Sequence, residues 1–204
     1  MCTYKTVTEL VEAEPPSVKG SRFIGLANHA ASTKDATAFL ESVRSKHPRA
    51  THHTFAWIID DDTTRMSDDG EPKGTAGRPI FDRIKGQGLT QTIIVVVRYY
   101  GGTKLGTGGL VRAYGGAASA VLEAASIVEK AQRFTIELRC PYDLEGPIKG
   151  IIREHGGEID EIIWGSDVSI QVSVTEALQS SFCTALMERC GGRIITSNPL
   201  KQEQ

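Results

Sequence analysis

The chain has 204 residues and a formal net charge of −2 at pH 7, with 40% hydrophobic and 24% charged residues. These values are ordinary for a globular protein of one or two domains and give no global attraction toward nucleic acid. No apolar run reaches the ~18–20 residues that span a bilayer, and the N-terminus has no secretory pattern. We expect a cytoplasmic protein with reduced thiols, because no zinc spacing or C-x-x-C pair occurs among Cys2, Cys140, Cys183 and Cys190.

Basic charge is concentrated in one segment of the chain. Residues 73–112 contain seven basic side chains and one acidic side chain, whereas residues 135–204 contain six basic and eleven acidic ones. The basic segment therefore predicts an anion-binding surface. The acidic residues 135–204 do not favour an anion and predict a protein contact or an orienting role. Ordinary solvated charge is the alternative, because neighbours in sequence need not share one patch.

Patterns in the first half predict alternating strands and helices. Residues 92–100 form a continuous β-branched run, which is typical of a strand buried on both faces. The predicted elements are extended segments over 6–18 and 22–29 around the turn Lys19-Gly20-Ser21, a helix over 34–47 capped by Thr33 and ended by Pro48, a strand over 51–60, a polar loop to Gly74, a helix over 76–84 ending near Gly86, the strand over 92–100, and a helix over 110–128.

The second half has its own repeating pattern. The predicted elements are a strand over 135–141, a helix over 144–155, strands over 158–164 and 168–174 around the turn Gly165-Ser166-Asp167, a helix over 176–189, and a strand over 193–196. Cys183 and Cys190 share one face of the last helix and are expected in its core. The order β-α-β-β-α-β is that of a ferredoxin-like unit. The sequence therefore predicts an α+β protein with two domains, over 1–132 and 135–204.

A glycine-rich loop over 101–109 follows a strand and opens a helix, where backbone N–H groups and the helix dipole favour an anion. It does not match G-x-G-x-x-G, because Val111 takes the last position, or G-x-x-x-x-G-K-[ST], because Thr107 stands in place of lysine. Two interpretations stay open. The loop is a phosphate cradle assisted by Lys104 and Arg112, or its glycines supply positive φ and close packing.

Other polar groups surround this loop in sequence. Arg98 with Tyr99 or Tyr100 can pair phosphates and stack bases, although adjacent strand residues face opposite sides and one tyrosine belongs with Arg98. The alternative to a binding role is that one tyrosine belongs to the core and the other lies at the rim of the sheet. Carboxylates in 67–79 can orient arginines, cap the next helix or bind Mg²⁺.

Catalytic chemistry has little support in the sequence. His52 and His53 face opposite sides of a strand, which makes them poor ligands for one metal. No G-x-S-x-G nucleophile motif is present. We therefore expect no metal, no cofactor and no catalytic residue.

Two motifs resemble the signature of the IMPACT family, and the whole chain is similar to its bacterial members. They are D-D-G-E-P-K-G-T-A-G-R-P-I at 68–80 and V-V-V-R-Y-Y-G-G-T-K-L-G-T-G-G-L-V-R-A-Y at 95–114. The resemblance implies an N-terminal β-α-β fold shared with a ribosomal protein domain, domain IV of elongation factor G and the GHMP kinases. It implies a C-terminal domain like domain V of elongation factor G. Eukaryotic relatives regulate translation through a kinase pathway and carry a further N-terminal module, which is not expected here.

The sequence and the resemblance together predict a non-enzymatic protein that binds RNA or the ribosome and regulates translation. The acidic C-terminal domain would serve a protein contact or set orientation, and no membrane contact is expected. The predicted nucleic-acid or phosphate-binding residues are Lys73, Arg78, Arg98, Tyr99, Tyr100, Lys104, Gly106, Thr107, Gly108, Gly109 and Arg112.

Two other classes of function stay open. One is a nucleotide- or phosphate-binding small-molecule enzyme that uses the 101–109 loop, although Leu105-Gly106-Thr107-Gly108 retains only part of the GHMP-kinase P-x-x-x-G-L-G-S-S pattern. The other is a protein-interaction module with Trp57 or Trp164 as an exposed anchor, whereas tryptophans in strands are more often core.

Overall fold

A computed structural model describes residues 3–196 of the chain. It divides into two compact units, one over Tyr4–Lys130 and one that contains Thr3 and the residues from Ala131 onward. The predicted α+β class with two domains is confirmed.

The N-terminal unit is built around a five-stranded antiparallel sheet with the order β2-β3-β6-β4-β5. Since β3 and β4 both run antiparallel to β6 between them, they are parallel to each other, and α1 joins them as a β-α-β unit. A separate two-stranded sheet pairs β1 with β7. The elements are β1 (Thr3–Val7), β2 (Val11–Ala13), β3 (Arg22–His29), α1 (Thr33–Lys46), β4 (His52–Ile58), β5 (Thr64–Ser67), α2 (Gly77–Gly86), β6 (Thr92–Tyr99), α3 (Thr107–Ala124) and β7 (Ile127–Ala131).

Strand β6 is buried on both faces, as its β-branched run predicts. Its alternate side chains enter two cores, because successive strand residues point to opposite sides. Ile94 and Val96 pack with α2 and α3, whereas Val95 and Val97 pack with α1. The residue after Val97 is therefore directed toward α2 and α3, and this placement positions Arg98.

Several element bounds differ from the sequence prediction. Ser32 caps α1 by accepting a hydrogen bond from the Asp35 N–H at 3.2 Å, so Thr33 is the first helical residue rather than the cap. Helix α3 begins at Thr107, three residues before the predicted start, and ends at Ala124. The extended segment over 6–18 divides into β1 and β2, and the loop predicted up to Gly74 contains β5.

The C-terminal unit is a four-stranded sheet with the order β11-β8-β10-β9. Its order β-α-β-β-α-β is the one predicted, with 3₁₀ turns preceding both helices. Alternate side chains of β8 and β10 form a core with α4 and α5. The elements are β8 (Arg133–Cys140), a turn over Tyr142–Leu144, α4 (Glu145–Glu154), β9 (Glu158–Trp164), β10 (Val168–Thr175), a turn over Glu176–Leu178, α5 (Gln179–Cys190) and β11 (Ile195–Thr196).

Both cysteines of α5 are buried, and Cys190 belongs to this core. Cys183 and Cys190 are buried free thiols, and burial raises the pKa of each. Their burial agrees with the prediction of core residues, whereas Cys2 lies outside the described residues.

Candidate functional site

A buried carboxylate joins the two glycine-rich motifs. Glu71 Oε1 accepts hydrogen bonds from Arg98 Nη1 at 2.5 Å and from the Tyr114 hydroxyl at 2.6 Å. The Glu71 side chain is only 4% exposed. His52 Nε2 lies 3.7 Å from the same oxygen. Burial first, and then the hydrogen bond to Glu71, raise the pKa of Tyr114, so its phenol stays protonated and donates.

The position of Arg98 differs from the predicted one. Its side chain is 6% exposed and forms the ion pair with Glu71. A second nitrogen, Nη2, donates to Ser21 Oγ at 3.3 Å, and this oxygen also accepts from the Gly101 N–H at 3.1 Å. Arg98 therefore positions the loops around it rather than presenting a guanidinium to phosphates. The physical reason is its place on the α2–α3 face of β6, where a cation needs a buried partner.

Asp68 organises the start of α2. Its carboxylate accepts hydrogen bonds from the backbone N–H groups of Gly74, Ala76 and Gly77 at 2.8–3.0 Å. Burial raises the pKa of Asp68, but the three backbone donors together lower it by more. The pKa therefore lies below its usual value. Carboxylates of this loop thus cap a helix and hold an arginine, as two of the sequence interpretations predict.

The two tyrosines at the end of β6 lie on opposite faces of the sheet, as the strand alternation predicts. Tyr100 is 47% exposed, and the Arg98 guanidinium carbon is 5.3 Å from its ring centroid. Tyr99 packs on the α1 side, where its hydroxyl lies 3.0 Å from His47 Nδ1. Only Tyr100 therefore shares the surface with the 101–109 loop. The prediction that Tyr99 belongs to this binding surface is wrong, because Tyr99 lies on the opposite face of the sheet.

The 101–109 loop contains glycines with different requirements. A Cβ on Gly101 would lie 1.9 Å from the carbonyl carbon of Gly20, so the two backbones touch. Gly106 has a φ of 73°, which favours glycine. A Cβ on Gly108 would meet nothing closer than Arg112 Nη1 at 3.8 Å. Close packing explains Gly101 and positive φ explains Gly106, whereas neither reason applies to Gly108.

A cavity of about 310 Å³ lies beside this loop. Its lining includes Lys19, Gly109 and Arg112 together with apolar groups of Val18, Leu105 and Ala113. Within the described residues, no side chain caps the N-terminus of α3 next to it. Neither Lys19 nor Arg112 forms an ion pair in the described part of the chain. Free N–H groups and two cations therefore favour a negatively charged ligand here.

The other predicted cations lie at the surface. Lys73 and Lys104 are exposed. Arg78 is exposed too, but its Nε donates to Asp82 Oδ1 at 2.8 Å, a pair one turn apart on α2. Thr107, Gly108 and Gly109 form the first turn of α3. Of the predicted residues, the structure thus places Arg112 and Gly109 in the lining of one cavity, and it adds Lys19, which the sequence analysis missed.

Two further features bear on catalysis and on exposed tryptophans. Among residues 3–196, no group of three or more His, Cys, Asp or Glu side chains is arranged to hold a metal ion. Trp57 is 3% exposed and belongs to the α1-side core, whereas Trp164 is 58% exposed. Trp164 is thus the tryptophan available for a contact.

Comparison with known families divides the chain as the fold does. Residues 19–122 match the Impact N-terminal domain, and residues 138–193 match a domain of unknown function, DUF1949. The first match contains both glycine-rich motifs and all of the cavity lining except Val18. The fold and the site therefore define a two-domain protein with an Impact N-terminal domain.

Relatives extend over most of the chain. IMPACT family member YigZ of Escherichia coli is 37% identical over 193 residues, which cover 91% of this chain and 95% of that protein. The IMPACT family member in the pol 5′ region of Thermus thermophilus is 37% identical and covers 87% of this chain and 97% of its own length. The chain belongs to the IMPACT family.

More distant similarities fit this assignment. The crystal structure of a hypothetical protein is 34% identical, covers both chains fully and has a TM-score of 0.76. The Protein IMPACT homolog of Saccharomyces cerevisiae is 30% identical over 99 residues, 46% of this chain and 38% of that protein. Membership of the family suggests a translation-related regulatory protein. Across residues 3–196, none of the helices combines the length and apolar character that a membrane-spanning helix requires.

Proposed function

We propose that this chain regulates translation by binding RNA or the ribosome through one end of its N-terminal unit. The observation that carries the proposal is the cavity beside the uncapped start of α3, with Lys19 and Arg112 in its lining. Unpaired cations and free backbone N–H groups are the ligands that phosphate oxygens prefer. Exposed Lys73 and Lys104 add charge-dependent affinity without adding sequence specificity.

The loop that precedes β3 supports the same surface. Lys19 lines the cavity, Gly20 touches Gly101, and Ser21 accepts hydrogen bonds from Arg98 and from the Gly101 N–H. Tyr100 follows Arg98 by two residues and rests against its guanidinium. A fixed, half-exposed aromatic ring close in the chain to a cationic cavity is suited to stack a base while phosphates occupy the cavity.

Fluorescence anisotropy with a labelled 15-nucleotide oligouridine, together with co-sedimentation with ribosomes, tests the proposal. Each phosphate contact on a single strand contributes about −0.7 to the slope of log K against log salt. Arg112→Gln is expected to reduce the steepness of that slope by about 0.7. Arg153→Gln, an exposed arginine of α4, is the matched control and is expected to leave it unchanged.

The stacking role is tested separately. Tyr100→Ala is expected to weaken binding by about 1–3 kcal/mol at every salt concentration, because a stacking contact releases no counterion. Tyr99→Ala is the control on the opposite face of the sheet.

Absence of binding at about 50 mM salt, or equal weakening by Arg153→Gln and Arg112→Gln, contradicts the proposal. In a cell-free translation assay, Arg112→Gln is expected to lose the effect of the wild-type chain.

The second candidate is a nucleotide-binding enzyme that uses the same cavity. The uncapped helix start favours it, since phosphates bind at such positions. Among the described residues that line the cavity there is no carboxylate, imidazole or hydroxyl group, so the lining supplies no ordinary proton acceptor. A thermal-shift assay with ATP·Mg²⁺ distinguishes the two functions, because tight specific binding raises the melting temperature and its absence favours the RNA proposal.

A further inference from the structure

Two exposed aromatic side chains lie at one end of the C-terminal sheet. Tyr142 is 53% exposed and Trp164 is 58% exposed. Strand register places them together, because Val168 of β10 is opposite both Trp164 of β9 and Cys140 of β8, two residues before Tyr142. Two exposed large aromatics at the same end of a sheet are unusual on a surface without a partner.

The Tyr142 ring is held by a hydrogen bond at its polar end. The Tyr142 hydroxyl donates to the Gly165 carbonyl oxygen at 2.7 Å. The Trp164 side chain lies near the Glu145 carboxylate, which binds Lys149 Nζ at 2.6 Å. A binding partner would therefore meet a Tyr142 side chain that is already ordered, and less conformational entropy is lost on binding.

The charges around these rings are mainly negative. Asp143, Glu145 and Asp167 lie near the buried Cys140 thiol, and after burial and Cys190 their charges raise its pKa. Lys149 pairs with Glu145, and Arg193 Nη1 pairs with Asp143 at 2.8 Å. Asp167 is exposed in the turn between β9 and β10 and forms no ion pair in the described part of the chain. The three carboxylates outnumber the two cations, so the net charge of this surface is negative, which repels phosphates and attracts cations.

We propose that Tyr142 and Trp164 form a docking site for an arginine or lysine side chain of a basic protein partner, with Asp167 as its counter-charge. Cations are attracted to the faces of tryptophan and tyrosine rings, and arginine is the commonest partner of this kind. Aromatic anchors beside complementary charge are the usual centres of protein interfaces. The site lies in the other unit from the RNA-binding cavity and does not depend on that proposal.

Tryptophan fluorescence of the full chain provides a direct test. Trp57 is buried, so a surface ligand that changes the emission reports on Trp164. The probe is a capped octapeptide in which arginine alternates with alanine, and the same peptide with glutamate in place of arginine is its control. The arginine peptide is expected to change the emission saturably and to bind more weakly as salt rises, whereas the glutamate peptide is expected to have no effect.

Matched variants locate the contact. Tyr142→Ala is expected to weaken binding of the arginine peptide about 3- to 30-fold, which corresponds to the loss of one cation–aromatic contact. Tyr142→Phe keeps the ring and is expected to retain most of the affinity, so it tests the proposal even if the alanine variant is unstable. Asp167→Asn is expected to weaken binding, whereas Tyr100→Ala, an equally exposed tyrosine of the N-terminal unit, is expected to leave it unchanged.

Three results overturn the proposal. The first is no change in Trp164 emission up to about 1 mM arginine peptide, a limit that corresponds to negligible affinity. The second is equal affinity of wild type, Tyr142→Ala and Asp167→Asn. The third is a saturable response of Trp164 to oligouridine that exceeds the response to the peptide, which would assign the surface to nucleic acid.

Discussion

The two glycine-rich segments of the N-terminal unit look alike in sequence and differ in structure. In the 67–77 segment, Asp68 binds three backbone N–H groups and Glu71 binds Arg98 and Tyr114. In the 101–109 segment, Gly101 is packed against another backbone, but the start of α3 has no side-chain cap and adjoins a cavity.

The difference between the segments assigns a separate physical task to each. The first segment has its carboxylates engaged with internal donors, so its contribution is to hold loops, helix and strand in place. The second leaves cations and N–H groups exposed, so its contribution is to meet a ligand. Substitutions in the first segment should therefore act on stability, and substitutions in the second should act on binding.

The strongest test of the holding role is Glu71→Gln. It leaves the Arg98 guanidinium buried without a counter-charge, and such a change destabilises by about 3–5 kcal/mol. Urea unfolding followed by Trp57 emission measures the loss. Asp82→Asn, which breaks the exposed pair with Arg78, is the control and is expected to change stability by about 0–1 kcal/mol. A double variant, Glu71→Gln with Arg98→Met, should recover part of the loss, and failure to recover would mean that shape rather than charge is responsible.

The next largest effect is expected at Gly101. Gly101→Ala forces a methyl group to within 1.9 Å of the Gly20 carbonyl carbon, so one of the two loops must move. Overpacking of this kind destabilises by about 1–3 kcal/mol or more. The same substitution at Gly102 alters a position with free space but positive φ and separates steric contact from backbone strain. If Gly101→Ala lowers the free energy of unfolding by less than about 0.5 kcal/mol, the two loops can move apart at little cost and the predicted overpacking is wrong.

A smaller, pH-dependent effect is expected at Asp68. Because its pKa is lowered in the folded state, its contribution to stability is present above the ordinary carboxyl pKa and is lost as pH falls through the folded value. Asp68→Asn should cost about 1 kcal/mol at pH 7, as the loss of a helix cap does. The difference from wild type should shrink below about pH 4. Asp61→Asn, at an exposed turn, is the control, and a pH-independent difference would rule out the charge as the cause.

The smallest effect on stability, and the clearest separation of the two tasks, is expected at Gly108. Alanine meets nothing closer than 3.8 Å there, and it favours a helix by up to about 1 kcal/mol over glycine. Gly108→Ala should therefore leave stability unchanged or raise it slightly in urea unfolding. It should weaken oligouridine binding if a phosphate backbone approaches the first turn of α3. Unchanged RNA affinity would instead remove this turn from the interface.

Much of the fold follows from the sequence because local pattern and packing agree. The β-branched run of β6 and the hairpin of β9 and β10 are examples, since burial and turn chemistry act on the same residues. Strand β5 escapes prediction because Thr64–Ser67 is short and largely exposed, and its order comes from pairing with β4. The cap of α1 depends on whether Ser32 or Thr33 leaves the helical conformation, which sequence pattern alone does not decide.

The candidate site is less predictable because its partners are distant in sequence. Arg98 and Glu71 are 27 positions apart, and their contact depends on where β6 ends relative to the 67–77 loop. A signal was nevertheless present, because an arginine that continues a doubly buried strand is seldom stable without a partner. Lys19 carries no such signal, since its place beside Arg112 arises only when the loop before β3 meets the loop after β6.

The pairing of β1 with β7 has a consequence for how the N-terminal unit is completed during synthesis. Thr8 donates its backbone N–H to Ser126, a residue 118 positions later in the chain. Although Lys5 forms a single bridge with Leu89, the first strand lacks its strand partner β7 until nearly all of this unit has left the ribosome, and closing so long a loop is slow. Nascent chains arrested just before β7 should keep their opening segment accessible to protease, and release of a few more residues should protect it.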